Sequence, residues 1–74
     1  MGYYNLHMEG VVAGDLPVAD RDAAVRTLVV NIRNSSYIPE DVKQDLVDQA
    51  TRQGWAEWYG DRPGMYFQGV IEEA

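Results

Sequence analysis

No cysteine occurs in these 74 residues, and for so short a chain that constrains the fold more than any other feature. A chain of this length buries only about 60% of the surface its unfolded form exposes. Small folds usually make up the shortfall with disulfides, a structural metal or a partner chain. Disulfides are excluded. A metal would have to rest on one histidine, His7, and on carboxylates, which do not make a typical zinc site. No metal and no cofactor are therefore expected, and stability must come from an efficiently packed core or from a second chain.

The local patterns are those of one small α+β unit. Residues 3–13 alternate, with Tyr4, Leu6, Met8 and Val12 on one side and Tyr3, Asn5, His7, Glu9 and Val11 on the other. A period of two marks a strand with one buried face. Gly10 within that run points to a bulge or to another backbone passing close by. Gly14-Asp15-Leu16-Pro17 reads as a break.

Two helices follow. Asp20 is a good N-cap, Asp22 complements the helix dipole, and Ala24, Val25, Leu28, Val29 and Ile32 recur at helical spacing over 21–33. Pro39 suits the first turn of a second helix over 39–53, with Val42, Leu46, Val47 and Ala50 as its apolar stripe and Gly54 placed to end it. Trp55 to Tyr59 and Met65 to Ile71 then read as strands joined by the turn Gly60-Asp61-Arg62-Pro63-Gly64. The expected order is β-α-α-β-β, a single compact domain over 1–74. Its three-stranded antiparallel sheet would carry two helices packed on one face. The tail Glu72-Glu73-Ala74 is expected to fray.

Catalytic equipment is thin. His7 has Glu9 two positions along the same strand face, a pair able to carry a proton or to make a pH-sensitive contact. No nucleophile is set beside it by the sequence. Glu40, Asp41, Asp45 and Asp48 are interleaved with Lys43 and Arg52, as on a solvated helix face, and lack the central glycine of a calcium loop. The Gly60–Gly64 turn lacks the spacing and the Lys-Ser/Thr of a phosphate cradle. No enzymatic activity is expected. A small-ligand site between helices and sheet would need a cavity that so small a core can scarcely spare.

Twelve acidic against six basic residues give a net charge of −6. Such a chain repels phosphates and anionic membranes and attracts basic surfaces. Two helices followed by a hairpin resemble a winged helix in element order, but the would-be reading helix carries more acids than bases, so nucleic-acid binding is not expected. No apolar run approaches the ~18 residues that cross a bilayer, and the first residues lack the basic and apolar regions of a secretory signal. A soluble, cytoplasmic protein is expected.

Two Trp, five Tyr and one Phe are more rings than this interior can hold, and most of them cluster in the hairpin. If Trp58 joins the core, Trp55 and Tyr59 lie with Glu57 on the outer face; in the opposite register Trp58 is exposed with Ala56. Exposed aromatic patches on small proteins tend to be interfaces. Trp55, Glu57, Trp58, Tyr59, Asp61, Arg62, Tyr66 and Tyr3 are the candidate contact residues. The function expected is binding of a protein with a basic surface. By analogy of size and charge with small acidic phage accessory proteins, this would be inhibition of a host or defence protein. The alternative is a structural subunit that self-assembles into a homo-oligomer through the same face or through a sheet edge.

Overall fold

A computed structural model describes residues 3–73. Strands β1 (Tyr4–Gly10) and β2 (Gly14–Val18) come first, helices α1 (Arg21–Asn34) and α2 (Glu40–Gln53) follow, and strands β3 (Trp55–Tyr59) and β4 (Tyr66–Glu73) come last. The strands form one antiparallel sheet in the order β2-β1-β4-β3. The chain is α+β with two helices, as its patterns imply, but the sheet has four strands where the sequence reading gives three.

The additional strand is β2, in the segment that Gly14 and Pro17 mark as a break. It is an edge strand, where proline is tolerated. Its phase explains why. Val11 N–H donates to the Tyr66 carbonyl (2.8 Å), so odd-numbered residues of β1 bond towards β4 and Tyr4, Leu6 and Met8 bond towards Val18, Leu16 and Gly14. Asp15 and Pro17 therefore turn their backbone groups away from the sheet. The missing N–H of Pro17 removes nothing from the ladder.

Two further boundaries differ from the sequence reading. The first strand stops at Gly10 instead of running to residue 13, because the chain turns there with φ at +104°. A side chain at Gly10 would also lie 2.0 Å from the Tyr66 carbonyl oxygen. The glycine thus marks a close backbone approach, one of its two expected meanings. At the other end Glu72 and Glu73 are not frayed: they pair with Asn5 and Tyr4 in β4. Ala74 lies outside the described residues.

The helices form where the sequence places them, within a residue at each end. Asp20 caps α1 by accepting from Ala23 N–H (2.8 Å), and Gly54 ends α2 in the left-handed conformation, φ +81°. Lys43 on α2 donates to the Arg33 carbonyl at the end of α1 (3.0 Å), tying the two helices together. Each helix buries one stripe: Ala24, Leu28 and Ile32 from α1, and Leu46, Val47 and Ala50 from α2.

These stripes cover one face of the sheet, supplied by Leu6, Met8, Ala56 and Phe67. Ile38, in the connection between the helices, is also buried in this core. Ala56 and Gly69 are paired across β3 and β4, so the sheet surface is at its lowest there. Leu28 drops into the depression: a side chain on Gly69 would meet its Cδ1 at 2.5 Å and the Phe67 ring at 3.1 Å. Burial of this kind stabilises by roughly 25 cal/mol per Å² of apolar surface removed from water.

Candidate functional site: the open face of the sheet

The opposite face of the sheet has no helix over it. Strand registers place its side chains in rows across the strands. One row runs Pro17, Asn5, Glu72; the next Asp15, His7, Val70, Trp55; the next Glu9, Gln68, Glu57; and the last pairs Tyr66 with Tyr59. Sequence alternation puts Asn5, His7 and Glu9 on one side of β1 and Trp55, Glu57 and Tyr59 on one side of β3. It does not place Asp15, Pro17 or Glu72, whose segments read as a break and a frayed tail. Only the register could say which residues become neighbours.

Hydrogen bonds link side chains of these rows into two clusters, which one ring stack joins. On the β1–β2 side, His7 Nδ1 contacts Asp15 Oδ1 at 2.8 Å and His7 Nε2 contacts Glu9 Oε1 at 3.2 Å, while Asn5 Nδ2 donates to Asp15 at 3.2 Å. Tyr66 Oη donates to the other oxygen of Glu9 (3.3 Å). The Tyr66 ring stacks on Tyr59, with centroids 6.1 Å apart and planes 12° from parallel. On the β3 side, Gln68 Nε2 donates to Tyr59 Oη (2.9 Å) and to Glu57 (3.4 Å), and Tyr59 Oη donates to Glu57 (3.4 Å).

The electrostatics follow from this geometry. Both ring nitrogens of His7 face carboxylates, and only the doubly protonated imidazolium donates to both. The hydrogen bond to Asp15 and then that to Glu9 raise its pKa above the ordinary 6.5. The same bond from His7, with that from Asn5, lowers the Asp15 carboxyl. The negative charge of Glu9 beside Tyr66 raises the phenol above its ordinary 10.0. Glu9, Asp15, Glu57 and Glu72 place four carboxylates on the face. It holds no lysine or arginine: Arg21, Arg26, Arg33, Lys43 and Arg52 belong to the helices and Arg62 to the β3–β4 turn. The two helices balance five acidic residues against five basic ones, whereas the open face is acidic with no lysine or arginine at all.

The structure separates the candidate contact residues. Trp55 (42% exposed), Glu57, Tyr59 (62% exposed) and Tyr66 share the open face. Trp58 does not: paired with Phe67, it points to the helices and packs half-buried against the core. The hairpin therefore takes the register in which Trp58 points inward. Asp61 and Arg62 sit exposed in the turn at the end of the sheet, and Tyr3 is exposed just before β1.

Sequence reasoning missed Asp15 as a member of this face, because it treated the segment as a turn, and Gln68, whose role depends on register. The signal for Asp15 was available in principle. A proline two residues along from a polar residue, in a run ending in Leu and Val, is compatible with an edge strand.

An open cleft of about 490 Å³ lies at the turn end of the sheet, lined by Val11, Tyr37, Arg62, Pro63, Gly64 and Met65. It is not the space between helices and sheet that a small-ligand site would occupy. Among the described residues no group of three or more His, Asp or Glu side chains is arranged to hold a metal ion, and no helix is long and apolar enough to cross a membrane. Comparison with family models, with curated proteins and with solved structures yields no match.

Proposed function

We propose that this chain is a non-enzymatic binding module whose open sheet face docks a basic surface of another protein. One observation carries the reading: Trp55, Tyr59 and Tyr66 share a helix-free face with four carboxylates and no lysine or arginine. Trp and Tyr are the side chains that most often anchor interfaces. The surrounding carboxylates would orient a basic partner and speed encounter. The engagement of both His7 nitrogens favours contact over catalysis, since neither is left to accept a substrate proton. In its finer form the partner is a nucleic-acid-binding protein, whose phosphate-reading surface the carboxylates imitate, and the outcome is inhibition in the manner of a phage accessory protein.

Capture from a bacterial lysate tests both levels, comparing the wild-type chain with a Trp55→Ser/Tyr59→Ser variant. Partners should be held by the wild type, released by rising salt and lost from the variant. Equal recovery on both would remove the face from the mechanism. For the finer form, duplex DNA added to the captured complex should displace the chain; undiminished capture under saturating DNA would restrict the reading to protein binding alone.

A further inference from the structure

The two edges of the sheet bear on how this protein can associate. An exposed edge strand offers unpaired N–H and C=O groups to any extended chain, including another copy of itself. In β3 the register with β4 turns Ala56 and Trp58 inward and leaves Trp55, Glu57 and Tyr59 to face the free edge. That edge is occupied. Gln49 of α2 presents its side-chain amide to Glu57, Oε1 accepting the Glu57 N–H at 3.2 Å and Nε2 lying 3.5 Å from the Glu57 carbonyl oxygen. Gln53, one helical turn further on, donates from Nε2 to the Trp55 carbonyl at 3.2 Å. A primary amide carries one acceptor and two donors, so the two glutamines stand where the peptide groups of a fifth strand would lie. Gln49 is itself held by a bond to Asp45 (2.9 Å), four residues earlier on the same helix. At the opposite edge the outward residues of β2 are Asp15, a charge, and Pro17, which has no N–H to offer.

We infer that Gln49 and Gln53 close the β3 edge against strand addition by a second copy of this chain, as Pro17 and Asp15 do at β2. Association through sheet edges is thereby shut off at both sides. The inference does not depend on the face binding anything.

Amide hydrogen exchange and sedimentation test it together. In the wild type the Glu57 amide should exchange slowly although it lies on an outer edge, while the Tyr59 amide, with no such partner among the described residues, should exchange fast. Gln49→Ala should accelerate Glu57 by about tenfold or more and leave Ala56 and Trp58 slow, which verifies that the hairpin is still formed. The Gln49→Ala/Gln53→Ala variant should then sediment as larger species with rising concentration, under conditions where the wild type does not change. An unaltered Glu57 amide in Gln49→Ala would overturn the inference, and so would a folded double variant that sediments like the wild type. Association through the open face would be recognised separately, because Trp55→Ser would abolish it and the glutamine variants would not.

Discussion

The two faces of the sheet are built from the same strands by the same alternation, yet they obey different rules. On the covered face, Leu6, Met8, Ala56 and Phe67 are matched in size to the helices above them, and Gly69 is where it is because Leu28 fills the space of its side chain. On the open face the neighbours meet through hydrogen bonds and one ring stack, and both the charges and the aromatic rims remain in water. One face is specified by volume, the other by polar pairing. Substitutions should therefore cost stability on the first and contact on the second.

The largest difference should come from neighbouring residues of β4. Phe67→Ala removes a fully buried ring and should cost about 3–5 kcal/mol of stability, enough to leave a domain this small largely unfolded at room temperature. Tyr66→Ala, one residue away on the other face, should cost about 1 kcal/mol. Urea unfolding of the two variants measures this, and equal losses would erase the distinction between the faces. Next in size is Trp55→Ser, which should leave stability within about 0.5–1 kcal/mol of wild type while weakening partner binding by about 2 kcal/mol, or roughly thirtyfold in Kd. Calorimetry with the captured partner would read it.

Gly69→Ala should destabilise by about 1–3 kcal/mol, since Leu28 must move aside in a filled core. Val70→Ala beside it should change stability by no more than about 0.5–1 kcal/mol. A Gly69→Ala chain as stable as wild type would mean that the covered face is loosely packed.

The smallest effect concerns pH. Since folding raises the pKa of His7, its contribution is fully present below the unfolded value and is lost as pH rises through the folded one. Asp15 works in the opposite sense, its contribution present above its unfolded value and lost as pH falls through the depressed folded one. Stability should decline gently as pH rises through the neutral range, and His7→Gln should flatten that slope. A two-dimensional NMR titration of the imidazole checks the direction; a midpoint at or below 6.5 would show that the carboxylate pair does not hold the proton.

The helices were legible in the sequence because their signals are local: Asp20, Pro39 and Gly54 act on the backbone within a residue or two, and the stripes that begin at Ala24 and Val42 repeat inside one element. The strands of the β3–β4 hairpin were legible for the same reason, with a strong turn between two alternating runs. β2 was not. Its Pro17 is a poor strand residue by propensity and is acceptable only because its N–H side faces outward, a fact about the neighbour's phase and not about residues 14–18. The open face was half visible. Alternation put Trp55, Glu57 and Tyr59 together and left one question, whether Trp58 turned in or out. The pairing of His7 with Asp15, of Tyr66 with Tyr59 and of Gln49 with Glu57 joins residues that no pattern along the chain connects.

The strand order also bears on how the molecule comes to be folded. β1 and β4 lie side by side at the centre, with Tyr4 against Glu73 and Gly10 against Phe67. The strand made first must wait for the strand made last, and pairing across so long a loop is slow compared with forming either hairpin or helix. Until β4 leaves the ribosome, β1 and β2 have a hairpin but no sheet to join, and the helices have little to cover. Shortening the chain from its C-terminal side should therefore remove the middle of the sheet and not its margin.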